Sequence, residues 1–235
     1  MQRVDKYLVE NGYFESRNRA VDAIKRGKVF VDGKRAKPST KCDNNSQIDI
    51  DKEKFYVSRA SKKLELFLQE YPIKLKDKIA LDIGSSTGGF VQILLENGVK
   101  NITAVDVGSN QLHHSLRDNP KIEIFENTDI REFKTQTQFD IITCDVSFIS
   151  ILQIIDDINR LSKKEIIILF KPQFEVGKKV KRDSKGVVMD NEAIKSAKER
   201  FEEKAKSIGW KLIYTTKSKL VGKSGNLEYL YYFQK

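Results

Sequence analysis

Five short apolar runs, interleaved with helical stretches, constrain this 235-residue chain more than any other feature of it. IALDIG (79–84), ITAVDVG (102–108), IEIFEN (122–127), FDIITCDV (139–146) and EIIILFK (165–171) are too uniformly apolar for a sheet with one wet face. Such runs suit parallel strands covered on both sides. Between them, GGFVQILLENG, NQLHHSLRD and FISILQIIDDINRL have helical spacing. The alternation predicts a doubly wound, Rossmann-like α/β sheet. A charged helix is expected at about 190–208, followed by WKLIYTTKSK and LEYLYYFQK as a terminal antiparallel pair.

The N-terminal segment has another character. Residues 1–41 carry eleven Lys and Arg against five Asp and Glu, within a chain of formal charge +10. That balance favours a polyanionic partner, nucleic acid ahead of an anionic membrane. Val4 and Leu8 sit one turn apart, and Ser16 is placed to cap RNRAVDAIKRG, which closes on Gly27. KVFVDGKRAK then reads as a strand and an Asp32–Gly33 turn. Two short helices and a hairpin make a small α+β domain over residues 1–50. The composition turns polar around 43–54, so a linker is expected at 51–57 and the large domain at 58–235.

Cys42 and Cys144 are isolated and lie in no metal-ligand spacing, so neither a disulfide framework nor a zinc site is indicated. The polar start is unlike a secretory signal, and IIILF at 166–170 is far too short to span a bilayer. A cytoplasmic protein is expected.

The sharpest motif is LDIGSSTGGF, a strand running through a glycine-bearing loop into a helix. Its spacing is not the GxGxxG of dinucleotide folds, which argues against a dehydrogenase. Asp82, Gly84, Ser85, Ser86, Thr87, Gly88, Gly89 and Phe90 are the candidate cofactor residues of this loop. Asp106, beside Val107 at the end of the second strand, suits two ribose hydroxyls. Asp129, after the third strand, is placed to reach an adenine amino group. A nucleoside cofactor follows, and S-adenosylmethionine fits better than NAD.

Ionisable residues gather where the topology sends strand ends. Asp145 ends the fourth strand in CDVSFIS, and Lys171 ends the fifth in LFKPQFE, where Pro172 forces the chain out. Lys63 lies on the helix SRASKKLELFL and Glu228 in GNLEYL. Such a group fits methyl transfer to a ribose 2′-hydroxyl, with a crowded or desolvated lysine taking the proton. CDVSFIS lacks the paired prolines that amino-group methylation favours, and Cys144 reads as a packed core residue rather than a nucleophile.

These motifs as a set carry a resemblance. RVDKYL and SRNRAVDAIKRGKVFVDGK resemble the RNA-binding domain of the ribosomal-protein S-four type, and the remainder resembles the FtsJ-like 2′-O-methyltransferase domain. With YVSRASKKL, DIGSSTGGF, AVDVGSNQL, DVSFIS, KPQFEVGK and GNLEYL in order, the chain is similar to the TlyA family over nearly its whole length. That family methylates the ribose of cytidine in ribosomal RNA and is often labelled haemolysin. The resemblance implies a catalytic tetrad of Lys63, Asp145, Lys171 and Glu228, with Lys63 chosen over its neighbour Lys62. Asp145 also borders the cofactor. RNA contacts are implied at Arg3, Arg17 and Arg19, and also at Arg26, Lys28, Lys34 and Arg35. The chain begins almost at the RNA-binding domain and ends soon after GNLEYL, as the shorter TlyA subtype does, which implies action on large-subunit RNA.

Two basic stretches support an RNA or ribosomal-subunit partner independently: KKVKRDSK, with Lys178, Lys179, Lys181 and Arg182, and KSKLVGKS at 217–224. Two rival readings remain, a non-catalytic RNA-binding or ribosome-assembly factor and a membrane-lytic haemolysin.

Overall fold

In the computed structural model, which describes residues 1–51 and 54–235, Val4 and Leu8 are fully buried on α1 (Val4–Glu10). Residues 52 and 53, within the expected linker, lie outside the described residues. Close contacts divide the chain into Met1–Phe55 and Tyr56–Lys235, and each unit is treated by itself.

In the first unit β1 (Gln2–Arg3) precedes α1, and Ser16 accepts the Arg19 N–H at the start of α2 (Arg17–Lys25). Ala20 and Ile24 of α2 share one core with Val4 and Leu8. β2 (Val29–Val31) turns through Asp32 and Gly33, at φ 51° and 72°, into β3 (Lys34–Arg35). Two positive φ angles match the twist of a two-residue hairpin. The sequence reading of this domain missed two strands, one just before the polar stretch and one within it. β4 (Lys41–Cys42) pairs with β1, and β5 (Ile48–Ile50) adds to β2, giving the order β3-β2-β5. A three-residue strand whose isoleucines are only half-buried leaves little periodicity to read.

The second unit carries α3 (Arg59–Glu70), β6 (Ile79–Ile83), α4 (Gly89–Glu96), β7 (Asn101–Val105), α5 (His114–Arg117) and β8 (Ile122–Phe125). After these come β9 (Phe139–Cys144), α6 (Ile155–Leu161), β10 (Ser162–Phe170) and α7 (Pro172–Glu175). The chain closes with α8 (Asn191–Ser207), β11 (Lys211–Lys217) and β12 (Tyr229–Gln234). The seven strands form one sheet in the order β11-β12-β10-β9-β6-β7-β8. β10, β9, β6, β7 and β8 are mutually parallel, and β12 and β11 add antiparallel at one edge.

β10 shows why the apolar runs read as they do. Ile166, Ile168 and Phe170 enter one core, where Ile155, Ile158 and Phe201 of α6 and α8 also lie. Ile167 and Leu169 enter the other, with Leu64 and Phe67 of α3 and Phe90 of α4. Successive side chains alternate faces, and both faces are covered by helices. Each such side chain contributes roughly 1.5–3 kcal/mol by leaving water.

Two expected helices are shorter than their spacing suggests. NQLHHSLRD is helical only at His114–Arg117, because the Glu126 carboxylate collects the N–H groups of Asn110, Gln111 and Leu112 and holds them as a loop. FISILQIIDDINRL splits into a 3-10 turn at Ile151–Gln153 and α6, since Glu175 accepts the Ile151 N–H at 2.9 Å. Among the described residues no helix is long and apolar enough to cross a membrane.

Candidate active site

The strand order reverses between β6 and β9, and ligands bind at such switch points, outside the carboxyl ends of the strands. There the Asp145 N–H donates to the Ile83 carbonyl at 3.0 Å. Gly84 follows at φ 76°, and a Cβ on it would stand 3.0 Å from the Asp145 carbonyl oxygen. No larger residue fits without moving backbone. Gly89 makes a second close approach, where a Cβ would lie 2.2 Å from Ser58 Oγ. That absence lets α3 pack on α4 and brings Lys63 towards the strand ends.

A cavity of about 330 Å³ opens at this point. Its lining includes Gly84 and Ser86 of the loop, Asp106, Val107 and Gln111 after β7, Thr128, Asp129 and Ile130 after β8, and Asp145 to Ile149 after β9. Asp106 braces the rim, accepting the Ser86 N–H at 2.8 Å and the Gly108 N–H at 2.7 Å. Asp129 is held by the Arg131 guanidinium at 2.5 Å, and that bond keeps its carboxyl below the usual range against the opposing effect of burial.

Six of the expected cofactor residues do not line this cavity, each for a local reason. Asp82 is 1% exposed and accepts the Thr143 hydroxyl at 2.6 Å beneath the loop. Burial pushes its carboxyl up to about 7, against the bonds from Thr143 and Ser85 and with the nearby charge of Asp145. Ser85 turns its hydroxyl under to the Asp82 carbonyl. Thr87 is exposed, Gly88 lies against Leu112 and Leu116, Gly89 packs on α3, and Phe90 is in the core. They shape the loop from behind.

The four residues of the expected tetrad come together as two ion pairs. Lys171 Nζ lies 2.6 Å from Asp145 Oδ1 and donates to Ser147 Oγ at 2.8 Å. Lys63 Nζ donates to Glu228 Oε2 at 2.5 Å, and Gln173 Nε2 donates to Glu228 Oε1 at 3.2 Å. Lys63 is buried whereas Lys62 is exposed, so helix geometry separates the two neighbours. Burial raises the Asp145 carboxyl above its ordinary range; Lys171 and then Lys63 pull it down, and Glu228 adds to the rise. Cys144, next in line, is fully buried, and burial pushes its thiol up, as suits a core residue.

These side chains open on a second cavity, of about 610 Å³, which shares Ser147 and Phe148 with the first. Phe148 is 92% exposed at φ 66°, its ring 5.2 Å from that of Phe174. Arg59, Arg182, Lys185 and Lys223 give the second cavity a cationic wall.

The family model for FtsJ-like methyltransferases matches residues 56–235, and that for the S4 domain matches residues 2–48. The chain is 50% identical over 94% of its length to the 23S rRNA (cytidine-2'-O)-methyltransferase TlyA of Campylobacter jejuni, of which it covers 94%. The chain belongs to the TlyA family of FtsJ-like methyltransferases. It is also 35% identical over 97% of its length to the 16S/23S rRNA (cytidine-2'-O)-methyltransferase TlyA of Mycobacterium tuberculosis, covering 87% of it. A solved structure from Streptococcus thermophilus, described as a hemolysin, aligns with all of this chain and 88% of that one at TM-score 0.73 and 32% identity.

In this TlyA-family chain the expected RNA residues divide by setting. Arg3 and Arg17 both donate to the buried Asp5, and burial of that carboxyl is outweighed by their bonds, which lower it. Arg19 pairs with Glu15, Arg26 with Asp22 and Lys28 with Asp51. Lys34 is exposed, and Arg35 donates to the Gly27 carbonyl. Exposed pairs of this kind contribute at most about 1 kcal/mol, so phosphates can compete for them. Lys178, Lys179 and Lys181 are exposed and lie outside the cavity lining, whereas Arg182 spends its guanidinium on the carbonyls of Gln173, Gly177, Lys178 and Val180. Sequence reasoning missed Arg59, Gln173 and Asn226. Arg59 had a signal, since it precedes Lys63 by four residues and shares its helix face.

Proposed function

We propose that this chain transfers a methyl group from S-adenosylmethionine to the ribose 2′-hydroxyl of a cytidine in ribosomal RNA, large-subunit RNA in particular, in the cytoplasm. The observation that carries the reading is the Lys171–Asp145 pair, which stands where the two cavities share Ser147. The C. jejuni relative's activity and the N-terminal S4 match point to the same substrate class.

The first cavity fits the cofactor. Gly84 leaves backbone bare where a Cβ would collide, and each Asp106 oxygen keeps a lone pair beyond its backbone bond for a ribose hydroxyl. Asp129 would accept the adenine amino group, with Val107 and Ile130 as apolar walls. When bound, S-adenosylmethionine supplies a methyl group already activated by its sulfonium.

The protein then has to hold one oxygen in place and ease the loss of its proton. Lys171 Nζ, 2.6 Å from Asp145 Oδ1, is the amine placed to take the proton of O2′, and burial favours the neutral acid at Asp145 beside it. Ser147 steadies that amine, and the Lys63–Glu228 pair fixes the neighbouring wall. Phe148, exposed beside Phe174, offers a stacking face to a base drawn out of its helix.

The test is to map ribose methylation on ribosomal RNA from cells with and without this protein. One or more 2′-O-methylcytidines in large-subunit RNA should disappear with the protein. Identical ribose maps would overturn the reading.

A further inference from the structure

Two basic loops wall the second cavity, and a single buried amide ties them together. Asn226, 4% exposed, precedes β12. Its Oδ1 accepts the Val188 N–H at 3.0 Å, and its Nδ2 donates to the Gly186 carbonyl at 3.2 Å. Both ends of one side chain therefore bond the backbone of a segment about forty residues away. Its own carbonyl accepts the Gly222 N–H at 2.7 Å, which closes the second loop on itself.

Each loop is also anchored at its base. Arg182 gathers the carbonyls of Gln173 and Gly177 in the first, and the Asp183 carboxylate accepts the N–H groups of Lys185 and Val187 at 2.8 Å each. Arg59 donates to the Val221 carbonyl of the second at 2.8 Å. Lys185 on one loop and Lys223 on the other both line the cavity.

We propose that Asn226 is a positioning residue for RNA: it locks the loops into one wall so that Lys185 and Lys223 flank the acceptor cavity together. The proposal rests on the functional reading above. A carbonyl and an N–H two residues apart need an acceptor and a donor held at fixed spacing, and a primary amide supplies both. Asn226→Asp keeps the acceptor for Val188 but sets an oxygen against the Gly186 carbonyl, so the loops should part.

The experiment compares Asn226→Asp and Asn226→Ala with the parent chain on protein-free large-subunit ribosomal RNA. Both variants should raise KM for RNA at least tenfold while kcat falls less than threefold. S-adenosylmethionine affinity should stay within about twofold by calorimetry, and trypsin should cut after Lys185 several times faster. An unchanged KM with an unchanged cutting rate overturns the proposal, as does a joint fall of kcat, cofactor affinity and thermal midpoint, which marks general damage. If the parent itself methylates no RNA, the functional reading fails, and the trypsin comparison still decides whether Asn226 joins the loops.

Discussion

Lys171 and Asp145 end neighbouring parallel strands and meet there at 2.6 Å, beside a cavity suited to a nucleoside and a second one walled by cations. The pairing follows from topology, because adjacent parallel strands must end on the same edge. β9 supplies Asp145 at the switch point, and Pro172 stops β10 just after Lys171. What the sheet aligns, burial then couples.

Lys63 and Glu228 form the second, more deeply buried pair. Lys63→Ala leaves Glu228 buried without its cation, which should cost about 3–5 kcal/mol. Adding Glu228→Gln should restore much of that stability and none of the activity. Urea denaturation of the single and double variants checks this; equal stability of all three chains contradicts it.

Asp82 should make stability depend on pH. Its carboxyl rises from an ordinary 3.8 to about 7, so between those values the folded chain keeps a proton that the unfolded chain has lost. Stability from this group is fully present below pH 3.8 and is lost as pH rises through about 7, by roughly 4 kcal/mol at most. Asp82→Asn, which cannot ionise, should flatten that slope and be the more stable chain at pH 8. Thermal midpoints of both chains from pH 5 to 8 check this, and parallel curves would count against it.

Gly84→Ala should reduce S-adenosylmethionine affinity at least tenfold. The left-handed backbone costs a residue with a Cβ about 1–2 kcal/mol, and the methyl meets the Asp145 carbonyl at 3.0 Å. Calorimetry reads it directly. RNA binding by the N-terminal unit should be unaffected.

Arg3 and Arg17 share the Asp5 carboxylate and keep over half of their side-chain surface exposed. If each meets one phosphate, Arg17→Ala should weaken RNA binding across sequences and lower the salt slope of the affinity by about one. Titrations at three salt concentrations give the slope; an unchanged slope removes Arg17 from the interface.

The parallel sheet was legible because runs such as IIILF cannot be half-wet, and β10 does bury alternate residues in two cores. Asp145 and Lys171 could be placed at one sheet edge because two strand ends and a proline fix those positions, whereas the choice of Lys63 over Lys62 rested on the family resemblance. β5 was hidden, since its two half-buried isoleucines sit among polar residues. The division of the glycine loop was also hidden: nothing in LDIGSSTGGF tells that Gly84 faces the cavity while Gly89 admits α3. Asn226 was beyond reach, because its partners are set by how two distant loops meet.

The central claim is that Lys171 acts on the acceptor oxygen, and the direct measurement is single-turnover methyl transfer by Lys171→Ala on large-subunit RNA. S-adenosylmethionine and RNA should still bind within a few-fold of the parent, while the transfer rate falls at least about 100-fold, the lower range for loss of a general base. Transfer at the parental rate would contradict the account.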